Sequence, residues 1–495
     1  MSLEGPSGGG SCVVVAVAGL LLLLCSAGPA RAQTPLTAND FEIDGYTGPV
    51  LGPGRIVGLG GAYTAIATGI DAAPFNPAAY GTRELYDLDW FEYGLTAGVL
   101  LPGLFSRNDY FNNDQGDGIG VDNFVFLNFG FRLQFGPAGV GGVINLQRFQ
   151  AENDTDTVDV SFNTGHYGGA WAFMDGQLVV GAGLRTAAMD MTLPDGTTLV
   201  SFTGTGPEAG GVLGLEGQPW RAGVSVRLPV DSKPSKTDEV ETVDGVRQVR
   251  GFVLPRKVHL PWEVQLGFAW QLGDRPLNKR WEKPTDPAPH LRRELRWEQC
   301  RRELLQVHDE HREQGRPMPA GASCPDLAVH PQSETWWRAE HRRRAAEQAE
   351  LERRIEAEED LIEERRDAAV EALPRNYWLI TTGLLFVGST EDGVGFDGFL
   401  DQERRTAGRN VSVGVRAGVE TEPWTNRLKV RAGFYLEPAR HSGVNYRPHG
   451  TMGFDLRLFR WDLFGWVDDF DFKVGFTADL APRYYDFGIG MGFWH

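Results

Sequence analysis

Two stretches of this chain have residue types at spacings that could carry chemistry. Gly58-Leu59-Gly60-Gly61-Ala62-Tyr63 sets clustered glycines ahead of a small-residue tract. Such clusters can cradle a pyrophosphate when they follow a buried strand and open a helix. Here the third fingerprint position is Tyr63, whose ring would obstruct helix–strand packing, and the preceding GYTGPVLGPGR is too rich in Gly and Pro for a central strand. No Walker lysine follows, so nucleotide chemistry is not expected. The second stretch has His308 and His311 as an H-x-x-H, which lacks the further ligands a zinc site needs and sits on a charged helical segment. No Ser/His/Asp grouping falls on adjacent elements, and the ten histidines are scattered. Catalytic residues, metal ligands and cofactors are therefore not expected.

The elements that would hold such residues are strands with lipid-facing alternation. In Asn410–Glu420, Val411, Val413, Val415, Ala417 and Val419 share one face, with Arg416, Gly418 and Glu420 on the other. Leu428–Glu437 and Trp262–Trp270 repeat the pattern. Period two over about ten residues, with apolar side chains on one face, predicts membrane β-barrel strands. Aromatic residues gather at the strand ends: Trp90, Phe91 and Tyr93; Tyr377 and Trp378; Trp461, Phe464 and Trp466; Tyr484 and Tyr485; Phe493 and Trp494. They are expected to form interfacial girdles.

Counting such segments gives an all-β fold, an antiparallel barrel of about fourteen strands. They start near Asp87, Asn123, Val140, Thr157, Gln177, Thr197, Trp220, Val258, Arg375, Asn410, Asn426, Gly450, Phe470 and Tyr484. Connections after even strands read FGPAG, MDGQ, EGQP and TEPWTN, all short turn chemistries. Those after odd strands are mostly long, as at Pro102–Asp122, Pro229–Lys257 and Ser389–Arg409. The asymmetry predicts that the first strand rises from the periplasm. Inward positions on the last strands carry Arg416, Lys429, Arg431, Asp455, Arg457, Lys473, Asp479 and Asp486, a set able to pair across the lumen or to contact substrate.

The chain ends and composition fit an exported barrel. Val13–Leu24 is an apolar run too short to span a bilayer, and Ala30-Arg31-Ala32 gives a small-x-small site, so residues 1–32 read as a signal peptide cleaved after Ala32. The outer membrane is then the expected location, with its lipid as partner. The formal net charge of −18 argues against nucleic acid as a partner. Of four cysteines, Cys300 and Cys324 remain after cleavage, and an oxidising compartment predicts a disulfide between them.

In this setting the glycine stretch resembles the long-chain fatty-acid transporter (FadL) family and its outer-membrane relatives. Gly58-Leu59-Gly60-Gly61-Ala62-Tyr63-Thr64-Ala65-Ile66-Ala67, then Ala72-Ala73, then Asn76-Pro77-Ala78 match the family's motif near the mature N-terminus. The resemblance implies a fourteen-stranded barrel with residues 33–86 folded inside as a plug. It also implies hydrophobic small molecules, such as long-chain fatty acids, that leave sideways through the wall. Barrel strands occupy 87–283 and 374–495. Between them, 284–373 is rich in Arg and Glu and reads as two helices joined by GRPMPAGASCPD. Leu351, Ile355, Ile362, Ala369 and Leu373 give the second helix a thin apolar stripe that suits a coiled-coil hairpin. Strand parity puts this hairpin in the periplasm, where it could contact a periplasmic protein or the cell wall. Some members of the wider family are secretion-system scaffolds, so a non-transporting barrel anchored through this arm is the alternative function.

Overall fold

The computed structural model describes residues 34–85, 87, 89–104, 108–113, 120–152, 157–233, 240–281, 289–317, 334–461 and 470–493. The expected signal peptide, Cys324, Phe464, Trp466 and Trp494 lie outside them, as do the side chains of Trp461 and Phe493. The chain divides into two compact units, Met1–Glu282 with Pro374–His495, and Lys283–Leu373.

The first unit is a closed antiparallel barrel of fourteen strands in sequential order. We number them β1 Phe91–Leu100, β2 Gly120–Phe135, β3 Ala138–Glu152, β4 Thr157–Phe173, β5 Leu178–Thr192, β6 Thr198–Leu213, β7 Trp220–Arg227, β8 Glu263–Gly273, β9 Tyr377–Val387, β10 Ser412–Trp424, β11 Leu428–Glu437, β12 Arg447–Trp461, β13 Phe470–Ala481 and β14 Tyr484–Phe493. The strand starts read from alternation hold to within four residues except at Val258, which belongs to a short loop strand, Lys257–Leu260, ahead of β8. On the outer surface Phe129, Phe131, Val180, Leu184, Leu266, Phe268, Ile380, Val415 and Met452 are exposed, as an apolar solvent requires.

Two girdle positions are corrected by the structure. Tyr377 and Tyr484 are buried on the inward face, where the Tyr377 hydroxyl donates to Glu420 at 3.0 Å and the Tyr484 ring lies 5.2 Å from that of His449. Their strand-end position suggested the interface, but parity sends them into the lumen. Trp90, Phe91, Tyr93 and Trp378 do stand on the exposed side.

Strands β2 to β6 run 15 to 17 residues, longer than the 8 to 11 of β7 to β9. Along the long strands the polarity inverts. On β3 the outward residues Val140, Ile144 and Leu146 give way to Arg148, Gln150 and Glu152. On β4, Trp171 and Tyr167 give way to Asn163 and Asp159, and Asn163 pairs with Leu146 at the change. Beyond this level the inward face turns apolar: Phe149, Val160, Phe162, Met189, Met191 and Phe202 join Phe41, Ile43, Phe396 and Phe399 in one buried cluster. The barrel is thus built for lipid near its short turns and for water near its long loops.

Residues 34–82 traverse the lumen from loops to turns. Near the loops, Glu42–Asp44 pairs with loop segments Lys257–Leu260 and Gly393–Val394. Helix α1 (Gly54–Gly58) and 3₁₀ turns at Ile70–Ala72 and Pro77–Tyr80 follow. Near the turns the Tyr80 carbonyl lies against Gly139. Gly60 has φ +60°, and a Cβ there would lie 2.8 Å from the Phe434 carbonyl oxygen.

The second unit is a helical hairpin, α2 (Pro289–Glu313) and α3 (Glu334–Glu371). Leu291, Leu351 and Ile355 bury one another with Leu295 beside them, so the apolar stripe is buried at Leu351 and Ile355 but only half-buried at Ile362. Arg344 links the helices, reaching Glu298 at 3.0 Å as well as Glu340 on its own helix at 2.9 Å. Cys300 is disulfide-bonded. A further short helix, α4 (Phe396–Leu400), belongs to the barrel's long loop after β9.

Gly60→Val forces a β-branched side chain into the left-handed region and against the β11 backbone, for about 3 kcal/mol of destabilisation. Gly217→Ala, at φ +71° with open space around its Cβ, should lose only about 1 kcal/mol. Urea unfolding in detergent micelles, followed by tryptophan fluorescence, separates the two.

Candidate functional site

The glycine motif does not present free amides to a ligand. The Gly60 and Gly61 amides donate to the Val57 and Ile56 carbonyls, both at 2.9 Å, and Ala62 donates to Leu59. No phosphate cradle forms, because the donors are spent within the segment. The glycines instead allow close approach to the wall: Gly433 of β11 faces the Gly60 nitrogen, Gly58 lies by Gly453, and Gly418 lies against Leu59. Asn76 is buried, its side-chain oxygen accepts from the Ala78 amide at 3.0 Å, and its Nδ2 donates to Thr64 O at 2.8 Å and Gly211 O at 3.1 Å. Pro77 follows as the first residue of the 3₁₀ turn, and the Pro77 carbonyl abuts Gly181 of β5. Tyr63 is buried, accepts from Arg55 at 3.0 Å and donates to the Thr68 carbonyl at 3.1 Å.

Of the eight charged residues expected to face the lumen, Lys429, Arg431, Asp455, Asp479 and Asp486 are buried, and four of the eight, Arg431, Asp455, Lys473 and Asp479, bond within two networks. Towards the turn end, Arg431 donates to Glu420 at 2.6 Å and to Asp455 at 2.8 Å, and Lys473 reaches Asp455 at 3.3 Å. Arg55 from the N-terminal segment forks onto both Glu420 oxygens at 2.8 Å, so this carboxylate ties segment to wall. Lys429 is buried on the same strand as Arg431, and Arg457 stands in register with Lys473. Towards the loop end, Asp479 accepts from Tyr435 at 2.6 Å and lies 2.8 Å from His449, whose other nitrogen is 2.9 Å from Glu437. Asp486 is buried in register with Asp479. Arg416 donates to the Gly61 carbonyl at 3.2 Å and faces the Phe75 ring at 5.7 Å.

A third network, on β4 to β8, has no counterpart among the residues that the sequence points to. It runs His166–Glu208 at 2.9 Å, Glu208–Arg227 at 3.4 Å, Arg227–Glu263 at 2.9 Å and Glu263–Arg185 at 2.7 Å. Its signal was only the parity of inward positions, which says nothing about partners. His166, Arg185, Arg227 and Glu263 of this network, with Arg416 and Gln265, form the polar side of a cavity of about 150 Å³. Val50, Leu51, Phe75, Phe126, Phe162 and Leu385 give it an apolar side, and Tyr46–Leu51 line it from the N-terminal segment. Among the described residues, no group of three or more His, Cys, Asp or Glu is placed to hold a metal. Among the described residues, no helix is long and apolar enough to cross a membrane.

In the loop-end cap, Asp397 of α4 is buried, which alone would raise its pKa. His441 at 3.8 Å, Asn113 at 3.0 Å and Arg405 at 3.5 Å outweigh burial and hold the carboxyl below its usual range.

No protein-family model matches the chain, and no curated protein matches it. Solved structures similar to it include the CymD monoaromatic hydrocarbon channel, at TM-score 0.43 and 8% identity over 90% of this chain and 96% of that one. The P. putida toluene transporter TodX gives 0.42 and 10% over 91% and 98%. CdiB from Escherichia coli gives 0.33 and 11% over 81% and 63%.

Arg431→Met leaves Glu420 and Asp455 with fewer cations in a buried setting and should destabilise the barrel by about 3 kcal/mol in urea. For Asp397 the depressed pKa means that its stabilising contribution is complete above the ordinary carboxylate range, about pH 4, and is lost as pH falls through the folded value. The stability gap between the natural chain and Asp397→Asn should therefore shrink as pH falls below about 4, as thermal unfolding at each pH would report.

Proposed function

We propose that this chain is an outer-membrane channel for hydrophobic small molecules, in which residues 33–86 act as the plug. The observation that carries the reading is the way residues 34–82 fill the lumen while a cavity with an apolar side remains beside them. A cavity of about 150 Å³ is of the size that holds benzene. A long acyl chain needs the segment displaced, so fatty acids report on movement and small aromatics on the resting cavity. In this reading residues 1–32 are the removed signal, the short turns face the periplasm, and the charged residues from Arg416 to Asp486 brace the wall. Cys300 pairs with Cys324, and the hairpin 284–373 is a periplasmic docking arm.

A second reading, a non-transporting barrel that anchors a periplasmic or secretion complex, is favoured by one observation. The ladders on both sides of β3 run without interruption through Gly139, Gly141 and Gly142, so the wall has no gap there for sideways exit.

Uptake of a labelled long-chain fatty acid, and separately of labelled toluene, should be measured in cells lacking this gene. Complementation would use the intact chain or a chain without 284–373. The channel reading expects both chains to restore uptake of at least one compound. Restoration by neither, with both barrels assembled, would leave the scaffold reading.

A further inference from the structure

Residues ahead of the lumen are woven into the long loops. The Leu36 amide donates to Gln402 O at 2.8 Å, and the Arg404 amide donates to Thr34 O at 2.7 Å. Glu42–Asp44 is an inner strand of a four-stranded sheet, flanked in parallel by Gly393–Val394 from the loop after β9 and Lys257–Leu260 from the loop after β7. Asp44 is buried, and Arg440, from the loop after β11, forks onto it at 2.8 and 3.0 Å. Thr390 donates to the same carboxylate at 2.7 Å, and Arg440 also donates to the Gly388 carbonyl at 2.7 Å. One carboxylate of the N-terminal segment thus joins two loops, and its strand joins a third.

The tether onward is short. Nine residues, Gly45 to Pro53, separate this strand from α1, and they include two prolines. Within them Tyr46 to Leu51 line the cavity, and the Val50 amide donates to the Tyr435 hydroxyl at 3.2 Å. The Tyr46 ring lies 5.3 Å from the Arg440 guanidinium. A shift of the strand by more than this tether can absorb must therefore move the cavity wall.

We propose that Glu42–Asp44 is a latch that holds the loop-end cap and the cavity wall shut together, with the Asp44–Arg440 pair as its catch. Its release frees both at once, so the cavity opens to the loop side. The use of the latch rests on the channel reading; its existence does not.

The test places a cysteine at Thr47, which lines the cavity, and follows labelling by a membrane-impermeant maleimide on the full chain in cells. Arg440→Met removes a charge-assisted, two-pronged contact, enough to shift an opening equilibrium about tenfold, and should speed labelling by about that factor. Ile43→Cys with Val258→Cys, register partners across the parallel pair, locks the strand when oxidised and should slow labelling about tenfold in a chain whose Arg440 is intact. Equal labelling in locked and reduced chains, with the crosslink confirmed, would overturn the latch. Toluene uptake measured alongside keeps the two ideas separate. Latch-dependent labelling without uptake sinks the channel reading alone. Uptake with latch-independent labelling sinks the latch alone.

Discussion

A barrel of fourteen strands encloses more space than its own inward side chains can fill, and the rest of this structure answers that constraint. Lipid outside fixes the outward residues as apolar, so inward positions are where polar and small residues go. The chain fills the space with its own first residues. At several close approaches to the wall the sequence supplies glycine, as at Gly60 against Gly433 and Pro77 against Gly181. The charges left facing this filling are costly to bury alone. They pair: Arg431 with Glu420 and Asp455, and Arg227 with Glu208 and Glu263.

The polarity inversion on β2 to β6 extends the same logic past the lipid. Above the level of Leu146 and Asn163 the strands meet water outside, so their outward face turns polar. Their inward face can then build an ordinary apolar core with the loops and Phe41, Ile43 and Phe399. A single chain is thereby a membrane barrel at one end and a water-soluble cap at the other. The N-terminal segment belongs to both, which couples them.

Much of this was legible in the sequence because alternation is local. Val411 to Val419 against Arg416 to Glu420 states a strand and its two faces within ten residues, and turn chemistry after every second strand states the topology. The inward set from Arg416 to Asp486 followed from parity alone. Partners were not legible, since Arg55 and Glu420 are 365 residues apart in sequence and meet only once the lumen is filled. The loop-end sheet was equally hidden, because its strands are two to four residues long and carry no period. Tyr377 and Tyr484 were misplaced for a related reason: an aromatic at a strand end suits the interface or the lumen, and only register decides.

A plug that admits ligand by moving requires residues 54–82 to be a movable filling of the lumen and not a fixed part of the wall. Amide hydrogen exchange of the full chain in detergent micelles, with and without oleate, addresses it directly. Faster exchange in 54–82 with oleate, while β4 to β6 stay protected, is the predicted result. Saturable oleate binding with unchanged protection across 54–82 would contradict it.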